Sequence, residues 1–162
     1  MAKPAKATNP AGKPEFELSV SRVLDAPRGL VFRAWSSPEH LVRWWGPKNF
    51  TTPQADTDFR RCGRWSATIR SPEGADYPSR GVYAEIAEPE RLVFSFARTE
   101  DGERETDTLV TVTFKEAGSG TRLTFHQAFF DTKETRDSHE EGWGECLDRL
   151  AGYVAGLGEG EA

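Results

Sequence analysis

"HEEGWGECLDRLAGYV", residues 139–154, sets Trp143, Leu147, Leu150 and Val154 at i, i+4, i+7 and i+11, with Cys146 beside them. At 3.6 residues per turn these positions make one apolar stripe, while Glu140, Glu141, Glu145, Asp148 and Arg149 fall off it. The pattern predicts a single amphipathic helix over about 132–157. From residue 50 to about 130 the chain has period two instead. One narrow stripe cannot cover both faces of a sheet built from so many strands. The economical solution is a strongly curved antiparallel sheet that wraps the helix.

The strands read outward from that helix. "TDTLVTVTFKEAGSGTRLTFHQAF" (106–129) alternates Val110, Val112 and Phe114 into a turn at 117–120 and alternates Leu123 and Phe125 out of it, as a hairpin does. "SRGVYAEIAEPERLVFSFART" (79–99) reads as two strands around Glu88-Pro89-Glu90. "GRWSATIRS" (63–71) carries Trp65, Ala67 and Ile69 on one face, and "FTTPQADTDF" (50–59) precedes it. The first strand is "FELSVSRVL" (16–24). Two short helices follow it. In one, Asp25 is placed to cap and Pro27 to enter the first turn. The other, 38–45, is opened by Ser37-Pro38 and stopped by Gly46-Pro47. With about seven strands and segregated helices, the class is α+β.

A sheet gripping one helix leaves a space between them, widest where the short helices plug the end, and such spaces suit small apolar ligands. "HLVRWWGP" (40–47) sits at that plug with two adjacent indoles. The chain has 18 aromatic residues, 11% of the total, more than a closed core needs. Trp35, Trp44, Trp45 and Trp65 are therefore candidates to line the space, with Phe94, Phe96 and Trp143 from the second half. Tyr83 and Glu85 share one face of a regular strand. If the register turns Tyr83 inward, Glu85 follows as a buried carboxylate; otherwise both lie outside.

Composition bounds the function. The 162 residues suit one domain, are 36% apolar and 29% charged, and carry a net charge of −5. Lys3, Lys6 and Lys13 are the only charges in the first fourteen residues, so the body is more acidic still. That argues against nucleic acid or an anionic membrane as partner. Two cysteines give no disulfide framework and fit a reducing compartment. With no secretory pattern at the N-terminus and no spanning apolar run, a cytoplasmic location is expected, and the Asn49-Phe50-Thr51 sequon carries no weight. Residues 1–14 are expected as a disordered tail, 15–157 as the domain and 158–162 as a frayed end.

Taken together, "LDAPRGLVFRAWSSPEHLVRWWGP" (24–47), "RCGRWSATIRSPEG" (61–74), "GVYAEIAEPERLVFSF" (81–96), "TLVTVTF" and "GTRLTFHQAFF" (108–114, 120–130) and "HEEGWGECLDRLAGYV" resemble one family. The order of elements is similar to the helix-grip fold of the START/Bet v 1-like superfamily. The local phrases resemble the branch named after the C-terminal domain of the activator of Hsp90 ATPase. The resemblance implies a seven-stranded curved sheet, a C-terminal helix and an internal pocket. It does not imply one chemistry, because such families hold co-chaperone domains, ligand carriers and cyclases alike. Cys62 departs from the pattern, which has a Gly-Gly pair before the aromatic.

No nucleophile stands in a recognisable catalytic setting. His126 is set on the strand face opposite Leu123 and Phe125; His139 reads as an exposed or mouth-lining helix residue, and His40 as solvated. His126, Asp131 and His139 would form a metal site only if the intervening loop folded back. Cys146 reads as core, and Arg60, Arg61 and Arg64 as a solvated patch. The sequence thus points first to non-catalytic binding of a small hydrophobic or aromatic molecule, without cofactor or metal, in a monomer or homodimer. A chaperone-interaction module, with a stress-response role, is the second reading. A cyclase- or hydrolase-type enzyme using Glu85 or His126 is the third.

Overall fold

Alternating burial in the strands and one buried stripe in the last helix place the core. The computed structural model describes residues 16–100, 103–104 and 107–160; the segment 1–14 and residues 161–162 lie outside the described residues. Strand β1 (Glu17–Leu24) is followed by helices α1 (Arg28–Arg33) and α2 (Pro38–Trp44). Strands β2 (Thr51–Thr57), β3 (Arg64–Arg70), β4 (Asp76–Ala87) and β5 (Arg91–Glu100) come next. After the two-residue β6 (Glu103–Arg104) come β7 (Thr108–Ala117), β8 (Gly120–Ala128) and helix α3 (Lys133–Gly160). The sheet is antiparallel throughout, in the order β1-β8-β7-β5-β4-β3-β2, with β6 paired to β5 off that path. Seven strands curl around α3, the helix-grip α+β arrangement that the periods predict.

The β7–β8 hairpin shows how the sequence sets the register. Ala117 faces Gly120 across a two-residue turn, and Gly118 takes a φ of 62°, which the first central position of a type II′ turn requires. Val110, Val112, Phe114, Leu123 and Phe125 then all face the core at 1% exposure or less. On β3, Trp65 and Ala67 are buried in the same way. Trp65 lies opposite Gly81 and passes its indole N–H to Ser95 O on β5 at 3.1 Å. A Cβ on Gly81 would stand 1.7 Å from that oxygen and 2.5 Å from the indole nitrogen, so only glycine admits the crossing.

Helix α3 lies in the concavity. Leu147, Leu150 and Val154 are fully buried, and the helix runs to Gly160, past the end the stripe predicts. Arg22 on β1 pairs with Asp148 at 2.8 Å, and Arg136 donates to Glu17 O at 3.0 Å, which fixes the helix along that edge. Among the described residues no helix is long and apolar enough to cross a membrane.

Three local expectations are corrected. Asp25 does not cap α1; Pro27 occupies the cap position, with no side-chain hydrogen bond there. Strand β4 starts at Asp76, earlier than its apolar pattern suggests, because Arg70 pairs with Asp76 at 2.7 Å across the β3–β4 hairpin. Helix α2 stops at Trp44, and Trp45 is already extended, with ψ 133°.

Two outcomes test this packing. Leu147→Ala should lower unfolding free energy by about 2–5 kcal/mol in urea titrations; a loss near zero would mean that the stripe is not core. Cys62 holds a φ of 68° in a tight turn, with its N–H bonded to Tyr83 O at 2.8 Å. A side chain is disfavoured in that region, so Cys62→Gly should raise stability by about 0.5–1 kcal/mol. Destabilisation by that substitution would refute the turn geometry.

Candidate functional site

The two adjacent tryptophans divide at the end of α2. Trp44 is the last helical residue, fully buried, and donates its indole N–H to Ala34 O at 3.0 Å. Trp45 turns the other way because the backbone has left the helix. Its carbonyl accepts from Thr52 Oγ1 at 2.6 Å. Arg149 on α3 donates to the carbonyls of Trp45, Gly46 and Pro47 at 3.3, 2.9 and 3.1 Å. Gly46, with a φ of 104°, makes the reversal that presents three carbonyls to one guanidinium.

That reversal forms one wall of a partly open cavity of about 330 Å³. The N-terminal half of α3 forms the second wall, and the ends of β3, β4 and β5 form the third. Its floor is buried: Trp45, Phe96, His139, Trp143 and Cys146. Its rim is half-exposed or exposed: Phe50, Tyr77, Arg98 and Ser138. On α3, Gly142 faces the space, and a Cβ there would meet only Pro47 Cγ, at 3.7 Å.

The nine residues expected to line a pocket separate into three groups. Trp45, Phe96 and Trp143 line the cavity. Trp35, Trp65, Tyr83 and Phe94 meet with Trp45 around a space of only about 10 Å³, the size limit for one water, and Trp44 packs behind them. These are core rings in edge contact, Trp35 and Trp44 with centroids 4.6 Å apart. Glu85 is on the outer face, paired with Arg91 at 2.9 Å. The cause is a β-bulge: Tyr83 opposes Phe94 but Glu85 opposes Val93, so one extra residue flips the alternation between them. Tyr83 stays inward, bonded to Thr57 Oγ1 at 2.7 Å, and burial pushes its hydroxyl up to about 12.

The histidines scatter. His126 lies on the outer face, 2.6 Å from Glu17. His40 is half-buried, not solvated, with Nδ1 2.7 Å from the Tyr153 hydroxyl. His139 is buried between the rings of Phe96 and Phe130, at 5.6 and 5.0 Å, and its Nε2 has no hydrogen-bond partner. Burial first, then the positive charge of Arg98, lowers its pKa to about 3, so the ring is neutral. Burial likewise pushes the Cys146 thiol up to about 12, and that thiol points to Trp44 O at 3.6 Å. Among the described residues, no three metal-ligating side chains converge. Of the arginine cluster, Arg60 pairs with Asp58 at 2.9 Å, and Arg61 and Arg64 are exposed.

Sequence reasoning missed Arg98, Tyr77, Phe50 and Gly142. The available signal was Gly142, a side-chain-free position beside Trp143 in an otherwise bulky helical stripe.

Residues 25–155 match the family model described as Activator of Hsp90 ATPase homolog 1-like protein. The chain resembles the crystal structure of an AHSA1 protein from Silicibacter pomeroyi, at 29% identity and a TM-score of 0.77, covering 86% of this chain and 97% of that one. A protein from Nitrosomonas europaea matches at 27% identity and a TM-score of 0.71, covering 85% and 92%. The solution structure of a protein from Arthrobacter aurescens, 22% identical, shares the fold with a TM-score of 0.78 over 86% of each chain. No curated protein sequence matches.

The buried imidazole makes a pH prediction. An unfolded histidine titrates near 6.5, and this one near 3, so protonation favours the unfolded chain. Its contribution to stability is complete above pH 6.5 and is lost as pH falls towards 3. Between pH 7 and pH 5 this group alone should remove about 2 kcal/mol of unfolding free energy. His139→Phe should flatten that part of the pH–stability profile. An unchanged slope would show that the imidazole is solvated.

Proposed function

The chain belongs to the Activator of Hsp90 ATPase homolog 1-like family, and from that premise we propose that it binds one small hydrophobic or aromatic molecule between sheet and α3, without catalysis. The observation that carries this reading is the 330 Å³ cavity with a floor of three aromatic rings. Its volume is at the lower end for ligand sites, which suits a molecule of one to three rings. The floor offers flat apolar surface from Trp45, Phe96 and Trp143, held by edge contacts of Trp45 on Trp143 at 5.1 Å and Phe96 on Trp143 at 6.0 Å.

The chemistry of the lining supports binding over reaction. Cys146 is held as a thiol and His139 as a neutral ring. They stand seven positions apart on α3, about 10 Å of rise, so the thiol cannot hand its proton to the imidazole. No carboxylate lines the cavity among the described residues. A chaperone-docking role would call for a contiguous apolar patch on the surface. The exposed large apolar residues Val23, Val42 and Val82 fall on β1, α2 and β4.

Gly142 provides the test. A leucine there projects into the cavity with room for its Cβ, and a helix interior favours it over glycine. Wild-type protein should bind the neutral probe N-phenyl-1-naphthylamine, with enhanced probe fluorescence and quenched tryptophan emission. Gly142→Leu should weaken that binding about tenfold or more, with the melting temperature held or raised. Equal binding by a folded Gly142→Leu protein would place the ligand elsewhere and refute this site.

A further inference from the structure

The cavity has an asymmetric charge. Arg98 lines its rim, and no acidic side chain lines it among the described residues, although the chain as a whole carries 26 acids against 21 bases. Three other arginines of the sheet have carboxylate partners: Arg22 with Asp148, Arg70 with Asp76, Arg91 with Glu85. The Arg98 guanidinium has no hydrogen bond or ion pair among the described residues. It lies over the Tyr77 ring, 5.8 Å from the centroid, and Tyr77 in turn packs on Phe50 at 6.2 Å. A cation–π contact of this kind holds the guanidinium beside the ring without using its N–H donors. The exposed Ser138 hydroxyl lies on the same rim.

Resting on the binding function proposed above, we propose that the ligand is an organic carboxylate. Its apolar body lies on Trp45, Phe96 and Trp143, and its carboxylate pairs with Arg98 at the rim. A planar carboxylate matches the guanidinium fork in two parallel hydrogen bonds, and the half-exposed rim spares it the full cost of desolvation. The neutral floor offers a second charge no partner to offset its desolvation, so the acid group is held at one end and the rings at the other. The ligand class is thus an aromatic or short-chain carboxylic acid in its ionised form.

The test is calorimetric titration of the full chain at pH 7 with 2-naphthoate and with its neutral isostere 2-naphthamide. Wild-type protein should bind the carboxylate about three- to tenfold more tightly than the amide, a range suited to a half-exposed charge-assisted pair. Raising the salt concentration should shrink the difference. Arg98→Met should erase it while leaving amide binding within about twofold. Equal binding of both compounds by wild-type protein overturns the carboxylate proposal and leaves the cavity as a site for neutral molecules. A preference that survives in Arg98→Met overturns it too, because the anion is then read by another group. Loss of both compounds in Arg98→Met would show that the side chain shapes the cavity instead of pairing with the acid, and also overturns it. Failure of wild-type protein to bind either compound removes the cavity reading together with this one.

Discussion

The indole of Trp143 is the contact on which the rest of the architecture turns. It lies against Phe125 of β8 at 4.2 Å, against Trp45 after α2 at 5.1 Å and against Phe96 of β5 at 6.0 Å. One side chain thus joins the long helix, strands β8 and β5 of the sheet, and the plug formed by the short helices. Toward the C-terminus of α3, Leu147, Leu150 and Val154 fill the concavity to complete burial. Toward its N-terminus, Gly142 contributes no side chain and the aromatic rings meet edge to face. Rigid rings in that arrangement do not close on one another as aliphatic chains do. The cavity is therefore a consequence of which residues the helix presents on successive turns.

The plug buries Val31, Phe32, Trp35 and Trp44 in the core, and polar contacts fix its last residues. Arg149 gathers the carbonyls of Trp45, Gly46 and Pro47, Thr52 binds the first of these as well, and Glu145 accepts from Lys48 N at 3.1 Å. The carbonyls at the end of a helix lack intrahelical partners. Here two of α3's side chains and one from β2 serve the end of α2 and the reversal after it. The same contacts fix Trp45 in its extended conformation, so the cavity wall is positioned from the helix that forms the opposite wall. A disturbance of Arg149 would reach the site without touching a lining ring.

How much of this was legible follows from the range of each interaction. The periods of 16–24, 63–71 and 106–129, and the stripe from Trp143 to Val154, are local properties, and they gave the element order, the α+β class and the curled sheet. The division between Trp44 and Trp45 comes from the end of α2, where Trp45 has already left the helix. Glu85 was not legible, because a bulge between Tyr83 and Glu85 resets the alternation, and it shows only in the pairing of β4 with β5. Arg98 was not legible either. Nothing within the β5 pattern distinguishes a guanidinium at a cavity rim from one in solvent; only the approach of Tyr77 from β4 and His139 from α3 does so. The site residues found from sequence were those whose size alone demanded burial. Of these, most turned out to fill the core that holds the cavity in shape.

The interior electrostatics are ordered by magnitude. Two causes lower the His139 pKa, burial and the Arg98 charge, and burial is the larger. An anion paired with Arg98 would cancel much of the smaller cause and leave the larger in place, and by excluding water it would add to it. The imidazole therefore stays neutral whether the rim is paired or bare. Its Nε2, without a partner in the protein, can serve a ligand's polar group only as a neutral donor or acceptor. Charge recognition is thus confined to the edge of the cavity, and the floor reads shape and aromatic surface.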